Sequence, residues 1–190
     1  SNIALVKYWG KHGDQLPSNT SISITLSNAC TETSVSYQFD DSLNNVSANF
    51  SFGDHKNESF ESRINRFLFR VQPQIPFLRH LRLDIHSKNN FPHSAGIASS
   101  ASAFGSLALC ICSIEEQFFG ESSGFANLRQ KASFLARIGS GSASRSIYDG
   151  FVLWGKHHSV ENSSDNYSIP VNQKIHPVFK NMQDSILLVS

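Results

Sequence analysis

Residues 89–106 read NNFPHSAGIASSASAFGS: an Asn-Asn-Phe-Pro stop, a run of small side chains with Ser99 and Ser100 adjacent, then an apolar segment. Pro92 fixes the chain's exit from whatever precedes it, and Gly96 removes a Cβ where the backbone must turn or approach a ligand. If a helix starts near Ser99, its first four N–H groups lack internal partners. Together with the helix dipole they form an anion site. Serine hydroxyls beside them can donate to phosphate oxygens or ligate Mg²⁺. The pattern is not a Walker A loop, because no Gly-Lys-Ser/Thr follows. Taken alone, such a run is equally a flexible linker, or a helix start that Ser99 merely caps.

A second run, ARIGSGSASRSIYDG, sets Ser140, Ser142, Ser144 and Ser146 around Gly139 and Gly141, with Arg145 among them. A guanidinium surrounded by hydroxyls and free amides suits a phosphate or carboxylate, since its fork binds two oxygens at once. The plain alternative is a solvated Ser-rich loop with an exposed Arg. A third cluster, KYWGKH, holds Lys7 and Lys11 with Tyr8 and Trp9 between them. Strand alternation faces Lys7 opposite to Tyr8, and Lys11 comes after the turn at Gly10. Surface lysines are common, so neither is informative singly. The eight histidines are scattered without ligand spacing, and His157 and His158 are neighbours that face opposite ways in a strand. Asp14, Asp40, Asp41 and Asp149 lie in turn-like contexts, and no carboxylate pair signals acid–base work.

These residues need elements to hold them. NIALVKYW (2–9) reads as a strand, followed by a polar turn over 10–19. Strands are also expected at TSISITLS (20–27), where Ile22, Ile24 and Leu26 alternate with Ser and Thr, at TETSVSYQF (31–39) and, more weakly, at 45–53. The period then changes. Phe60, Ile64, Phe67, Leu68 and Val71 form one helical face, and Leu81, Leu83 and Ile85 return to alternation. Residues 102–119 are too long and apolar for a strand and predict a buried helix; 125–139 predict an amphipathic helix ending at Gly139. GFVLW (150–154) and DSILLVS (184–190) look like strands. No internal repeat or long linker interrupts the chain. Strands first and helices layered on one face predict an α+β domain.

Composition narrows the function. The chain has 190 residues, 39% hydrophobic and 16% charged, with fifteen Phe to fill a core. A net charge of +1 without like-charge blocks argues against a nucleic-acid partner or an anionic membrane surface. No apolar stretch reaches the ~20 residues of a membrane span, and no signal peptide is expected. Three cysteines, with Cys110 and Cys112 flanking Ile111, form neither a disulfide framework nor a zinc pattern. Ordinary packing in a reducing, cytoplasmic compartment is expected. The first residue is Ser in an already strand-like run, and the end falls on another. Further chain is therefore expected on both sides.

Taken together, the three clusters resemble the GHMP kinase superfamily and, within it, the diphosphomevalonate decarboxylases. The superfamily's phosphate loop, Pro-x-x-x-Gly-Leu/Ile-x-Ser-Ser-Ala, is matched by Pro92, Gly96, Ile97, Ser99, Ser100 and Ala101. The decarboxylase signatures are NIALVKYWGK, LPSNTSISITLS and ARIGSGSASRS, in that order. The resemblance runs from residue 2 to the end and is weakest between about 40 and 80. It implies a ribosomal-protein-S5-domain-2-like α+β fold with an antiparallel-rich sheet and helices on one face. Residues 1–190 would form the N-terminal, ATP- and substrate-binding domain of a homodimeric enzyme, ahead of a C-terminal GHMP domain that supplies a catalytic Asp.

The implied reaction is the ATP- and Mg²⁺-dependent decarboxylation of (R)-5-diphosphomevalonate to isopentenyl diphosphate, ADP, phosphate and CO₂, in the mevalonate route to isoprenoids. Residue by residue, the resemblance gives Tyr8, Lys11, Ser140, Ser142 and Arg145 to the substrate's diphosphate and carboxylate, with Asn2 supporting them. Lys7 stands near the reacting phosphoryl oxygens, and Lys7, Ser100 and Arg145 are the implied catalytic groups. Pro92, Ser94, Ala95, Gly96, Ile97, Ala98, Ser99, Ser100 and Ser102 would carry the ATP phosphates, with Ser100 also on Mg²⁺. Phosphoryl transfer calls mainly for positioning and charge neutralisation, which such groups supply.

Two departures stand out. Ser144 replaces the family's usual Cys, and Asp149 replaces Gly, where a carboxylate facing the pocket would oppose a polyanion. The competing readings are a sister kinase or decarboxylase acting on mevalonate or its monophosphate, and a non-catalytic phosphate-binding or dimerisation module.

Overall fold

A computed structural model describes residues 1–53, 58–92, 97–120 and 124–185. Strand β1, Asn2–Val6, stops three residues short of the expected end, so Lys7 and Tyr8 leave the sheet. The stretch expected as a plain turn holds a small hairpin, β2 (Lys11–His12) and β3 (Leu16–Pro17), turned through left-handed Gly13 and Gln15. β4, Ser21–Thr25, pairs antiparallel with β1, and β5 follows at Thr31–Phe39. β6 spans Ser47–Phe52 and α1 spans Glu58–Val71. Glu58 and Glu61 in its first turn and Arg70 in its last complement the α1 dipole, while Ile64, Phe67, Leu68 and Val71 form its buried stripe.

After a 3₁₀ turn at Pro76–His80, β7 (Leu81–Asn89) buries Leu81, Leu83, Ile85 and Ser87 on one face and exposes the residues between them. Helix α2, Ser99–Phe119, ends where Gly120 takes the left-handed conformation and donates its N–H to the Glu116 carbonyl. Asn127 caps α3, Leu128–Gly139, by accepting from the Gln130 N–H at 3.0 Å. A 3₁₀ helix, Gly141–Ile147, leads to β8 (Phe151–Trp154) and β9 (Ser168–Pro170). The expected strand at 184–190 lies mostly outside the described residues, and Asp184 and Ser185 are not in a strand.

The architecture is α+β, as expected, but the sheet is divided. A four-stranded antiparallel sheet has the order β1-β4-β8-β9, and a three-stranded one has the order β5-β7-β6. β5 is antiparallel to β7, whereas β6 is parallel to it. The parallel pair follows from connectivity: α1 carries the chain back between β6 and β7, so both strands run the same way. The helices cover the buried face of the three-stranded sheet, where Phe50, Leu83 and Ile85 meet Phe67, Phe104, Leu107 and Leu135. A separate, smaller cluster, Phe151, Leu153 and Val171 with Ile22 and Ile24 against it, backs the four-stranded sheet. Gly139 lets α3 end tight against α2, since a Cβ there would lie 2.5 Å from the Phe104 ring. The next residue opens the Ser-rich run.

Candidate functional site

The Ser-rich run and the KYWGKH cluster meet around Trp154. Because β1 ends early, Tyr8 turns back over the four-stranded sheet and packs edge-on against Trp154, with ring centroids 5.2 Å apart. Arg145, on the 3₁₀ helix, holds its guanidinium 5.7 Å from the Tyr8 ring and 5.8 Å from Trp154. Lys11, on the β2–β3 hairpin, brings Nζ within 5.8 Å of the Tyr8 ring centroid and donates to Gln15 Oε1 at 2.6 Å. Gly141 permits this crowding: a Cβ on it would stand 2.6 Å from Trp154 Cη2 and 3.2 Å from Lys11 Cδ. The Ser140 and Ser142 hydroxyls lie 3.5 Å apart beside it. Asn2 Nδ2 donates to Ser146 Oγ at 2.7 Å, next door to Arg145.

Arg145 sets the electrostatics of this cluster. It is 2% exposed and donates to Ser21 Oγ, yet its Nε has no hydrogen-bond partner among the described residues. Burial pushes it down to about 10, an effect that Tyr8 partly opposes, so it remains a cation at neutral pH. A buried cation with a spare donor is costly, and the two rings offset only part of that cost. The arrangement is relieved by an incoming anion. Lys7 is exposed, its backbone carbonyl held by Asn19 Nδ2 at 3.1 Å.

The second cluster is the start of α2. Ala98, not a serine, is the N-cap residue: it sits at φ 55°, ψ 43° and gives no side-chain cap. Ser99 is therefore not the cap, and the N–H groups of Ser99, Ser100 and Ala101 have no intrahelical acceptor. Ser102 makes the first intrahelical bond, to the Ala98 carbonyl at 3.0 Å. Ser99 and Ser100 are partly exposed and Pro92 is exposed, whereas the Ile97 and Ser102 side chains are buried. Ser94, Ala95 and Gly96 lie outside the described residues. Arg63, on α1, donates from Nη1 to Ser100 Oγ at 3.3 Å.

A cleft of about 250 Å³ lies beside the two clusters, lined by Gln15, Arg63, Arg66, Arg70, Phe104 and Gly139 among others. Gln15 holds Lys11, Gly139 precedes Ser140, and Arg63 reaches Ser100, so this arginine-lined space has neighbours of both clusters in its walls. Arg63, Arg66 and Arg70 share a helix face at spacings of three and four. That periodicity is visible in the sequence, but only the fold aims it at the cleft. Arg70 is partly committed, to the Asp14 carboxylate and to the Ile138 carbonyl at 2.8 Å. Trp154 and Ser21, also overlooked in the sequence, are brought opposite each other by β4–β8 register. A larger hollow, about 650 Å³, lies between the edge of β1, Pro92 and Met182–Ser185. Its described lining includes Asp184 and no Lys or Arg.

The donor set fits a nucleotide's phosphates better than a bare metal. Among the described residues no group of three His, Cys, Asp or Glu side chains could hold a cation. Mg²⁺ arriving with phosphate oxygens would find hydroxyls at Ser99 and Ser100. Asp149 is no obstacle to a polyanion: its carboxylate is 93% exposed and 4.0 Å from Arg129. Ser144 is fully buried and donates to the Gly141 carbonyl at 2.9 Å.

Comparison with known proteins adds an independent line. A sequence profile described as the diphosphomevalonate decarboxylase-like N-terminal domain matches residues 1–167. Diphosphomevalonate decarboxylase from Debaryomyces hansenii is 35% identical over 208 aligned positions, covering 100% of this chain and 48% of that protein. Among solved structures, mevalonate diphosphate decarboxylase from Staphylococcus aureus superimposes with a TM-score of 0.68 at 37% identity, over 90% of this chain and 48% of that one. A structure described as MDDEF in complex with MVAPP, AMPPCP and magnesium gives 0.64 at 37% identity, over 91% of this chain and 49% of that one. The chain spans about half the length of the relatives it matches.

Proposed function

The chain belongs to the diphosphomevalonate decarboxylase-like family, and from that premise we propose that it is the N-terminal, ATP- and substrate-binding domain of a diphosphomevalonate decarboxylase. The enzyme would turn (R)-5-diphosphomevalonate into isopentenyl diphosphate, ADP, phosphate and CO₂, with a C-terminal GHMP domain supplying the catalytic Asp. That second domain is suggested by relatives about twice as long. The observation that carries the proposal is Arg145, buried against Tyr8 and Trp154 with its Nε unpartnered among the described residues, and with Lys11, Ser140 and Ser142 beside it.

The roles follow from chemistry. Arg145, with a spare buried donor, and Lys11 would take the substrate's diphosphate and carboxylate, with Tyr8, Ser140 and Ser142 as neutral donors and Asn2 steadying the loop through Ser146. Holding a carboxylate until it departs as CO₂ needs donors fixed in advance, and burial against Tyr8 and Trp154 fixes Arg145. The open amides at Ser99–Ala101 and the backbone from Pro92 onward would hold the nucleotide's phosphates. ATP with Mg²⁺ would supply the phosphoryl group that makes the 3-hydroxyl a leaving group. Lys7, exposed at the end of β1, would neutralise charge near the transferred group. Ser100 would meet Mg²⁺ once Arg63 exchanges its hydroxyl for a phosphate oxygen.

The same proposal includes cytoplasmic residence and a homodimer. Free Cys30, Cys110 and Cys112 suit a reducing compartment, and among the described residues no helix is long and apolar enough to cross a membrane. Exposed Phe39, Phe118 and Phe119 beside the edge strand β5 offer a surface for a second copy. The test is release of labelled CO₂ from carboxyl-labelled 5-diphosphomevalonate with ATP and Mg²⁺. Release supports the full activity. Binding of both ligands without release supports the domain assignment and assigns the missing chemistry elsewhere. Failure to bind 5-diphosphomevalonate overturns the proposal.

A further inference from the structure

Behind the loop that presents Arg145 runs a chain of buried hydroxyls that the proposed chemistry does not use. Ser133 on α3, Ser144 on the 3₁₀ helix and Ser168 on β9 are all fully buried. Ser168 Oγ donates to Ser144 Oγ at 2.7 Å, and Ser144 Oγ donates to the Gly141 carbonyl at 2.9 Å. The direction is fixed, because a carbonyl cannot donate: Ser144 spends its proton on Gly141 and so must accept from Ser168. Ser133 ties the same two residues through their backbones, accepting from the Ser168 N–H and donating to the Ser144 carbonyl, each at 2.9 Å.

We propose that Ser168 and Ser144 are positioning residues whose hydroxyl relay sets the Gly141 carbonyl, and with it the spacing between the Ser140 and Ser142 hydroxyls and the Arg145 guanidinium. The need for such a relay is physical. Seven residues is long for a 3₁₀ helix, whose own hydrogen bonds are poorly aligned, so it depends on tertiary support. Gly141 cannot supply that support with a side chain, because Trp154 occupies the space. Its carbonyl is the handle that remains. β9 supplies the anchor because Ser168 pairs with Trp154 across the β8–β9 ladder, so ring and relay are set from one strand pair. The inference rests on the assignment of this loop to 5-diphosphomevalonate.

Two readouts on the chain test it: amide exchange across residues 141–147 without ligand, and calorimetric binding of 5-diphosphomevalonate, with binding of the nucleotide analogue AMPPCP with magnesium as control. Ser168→Ala and Ser144→Ala should each speed exchange in 141–147 and weaken 5-diphosphomevalonate binding about five- to tenfold, the scale of one buried hydrogen bond. AMPPCP affinity should hold. The double variant should be no worse than either single one, since the relay breaks once. Ser168→Cys, which keeps the volume and a weak donor, should fall between and serves if Ser168→Ala does not fold. Unchanged exchange, additive effects, or faster exchange with unaltered substrate affinity would each overturn the positioning role. If the substitutions speed exchange but the wild-type chain does not bind 5-diphosphomevalonate, the relay stands and the substrate assignment is overturned instead.

Discussion

Arg63 Nη1 donates to the Ser100 hydroxyl at 3.3 Å while its guanidinium carbon lies 5.2 Å from the Phe60 ring centroid and 5.6 Å from that of Phe104. One side chain on α1 is thus aimed at the first turn of α2. Arg63→Ala should weaken binding of AMPPCP with magnesium about five- to tenfold, the size of one charge-assisted contact, as read by calorimetry. Melting should change little, because Arg63 is exposed.

Arg145 has the opposite balance. Its burial costs stability in the absence of ligand, since among the described residues one donor is unpaired and Ser21 and two ring faces alone compensate. Arg145→Met should raise the melting temperature of the ligand-free chain while weakening 5-diphosphomevalonate binding about a hundredfold or more. Thermal denaturation and calorimetry on the same sample check both halves.

Gly141→Ala places a methyl 2.6 Å from Trp154 Cη2, which must move or be pushed off its rotamer. Overpacking of this kind costs about 1–3 kcal/mol. Denaturant unfolding should report that loss. Substrate affinity should fall as well, because Trp154 is the surface on which Tyr8 and Arg145 rest.

Asp40 governs part of the acid response. Hydrogen bonds from Ser42, then from Arg82, hold its carboxyl down to about 2 against an ordinary 3.8. A lowered folded value means the unfolded chain binds the proton more readily. The contribution is therefore complete above about 3.8 and is lost as pH falls toward about 2. Asp40→Asn should flatten the stability profile in that window, because it removes the contribution at neutrality and changes little near pH 2, where the wild-type carboxyl is itself protonated. Urea midpoints taken across the acid range measure this.

Much of the fold is legible in the residues because it is local. Alternation in Leu81, Leu83 and Ile85 marks β7, and the stripe from Ile64 to Val71 marks α1, with no knowledge of partners. The parallel β6–β7 pair and the short strand Ser168–Pro170 escape such patterns; three residues are too few to show a period. The candidate site divides in the same way. Lys11, Ser140, Ser142 and Arg145 declare themselves by type and spacing. Ser21 and Trp154 do not, because Arg145 meets Ser21 across 124 positions of sequence and Trp154 looks like any aromatic in a strand. The three arginines of α1 were in plain view as a polar face, indistinguishable from a solvated one until the cleft gave it a direction.

The division into two apolar clusters has a consequence for behaviour under heat. Arg145 rides on the 3₁₀ helix, whose Ala143 and Ile147 join the large cluster with the start of α2, whereas Ser21 and Trp154, which hold it, sit on the sheet whose other face is backed by the small cluster of Phe151, Leu153 and Val171. Segments with few buried apolar contacts open at lower free energy than the body they adjoin. On warming, the grip around Arg145 should loosen while the helices of the larger body still give their full circular-dichroism signal. The molecule would lose its ligand before it loses its shape.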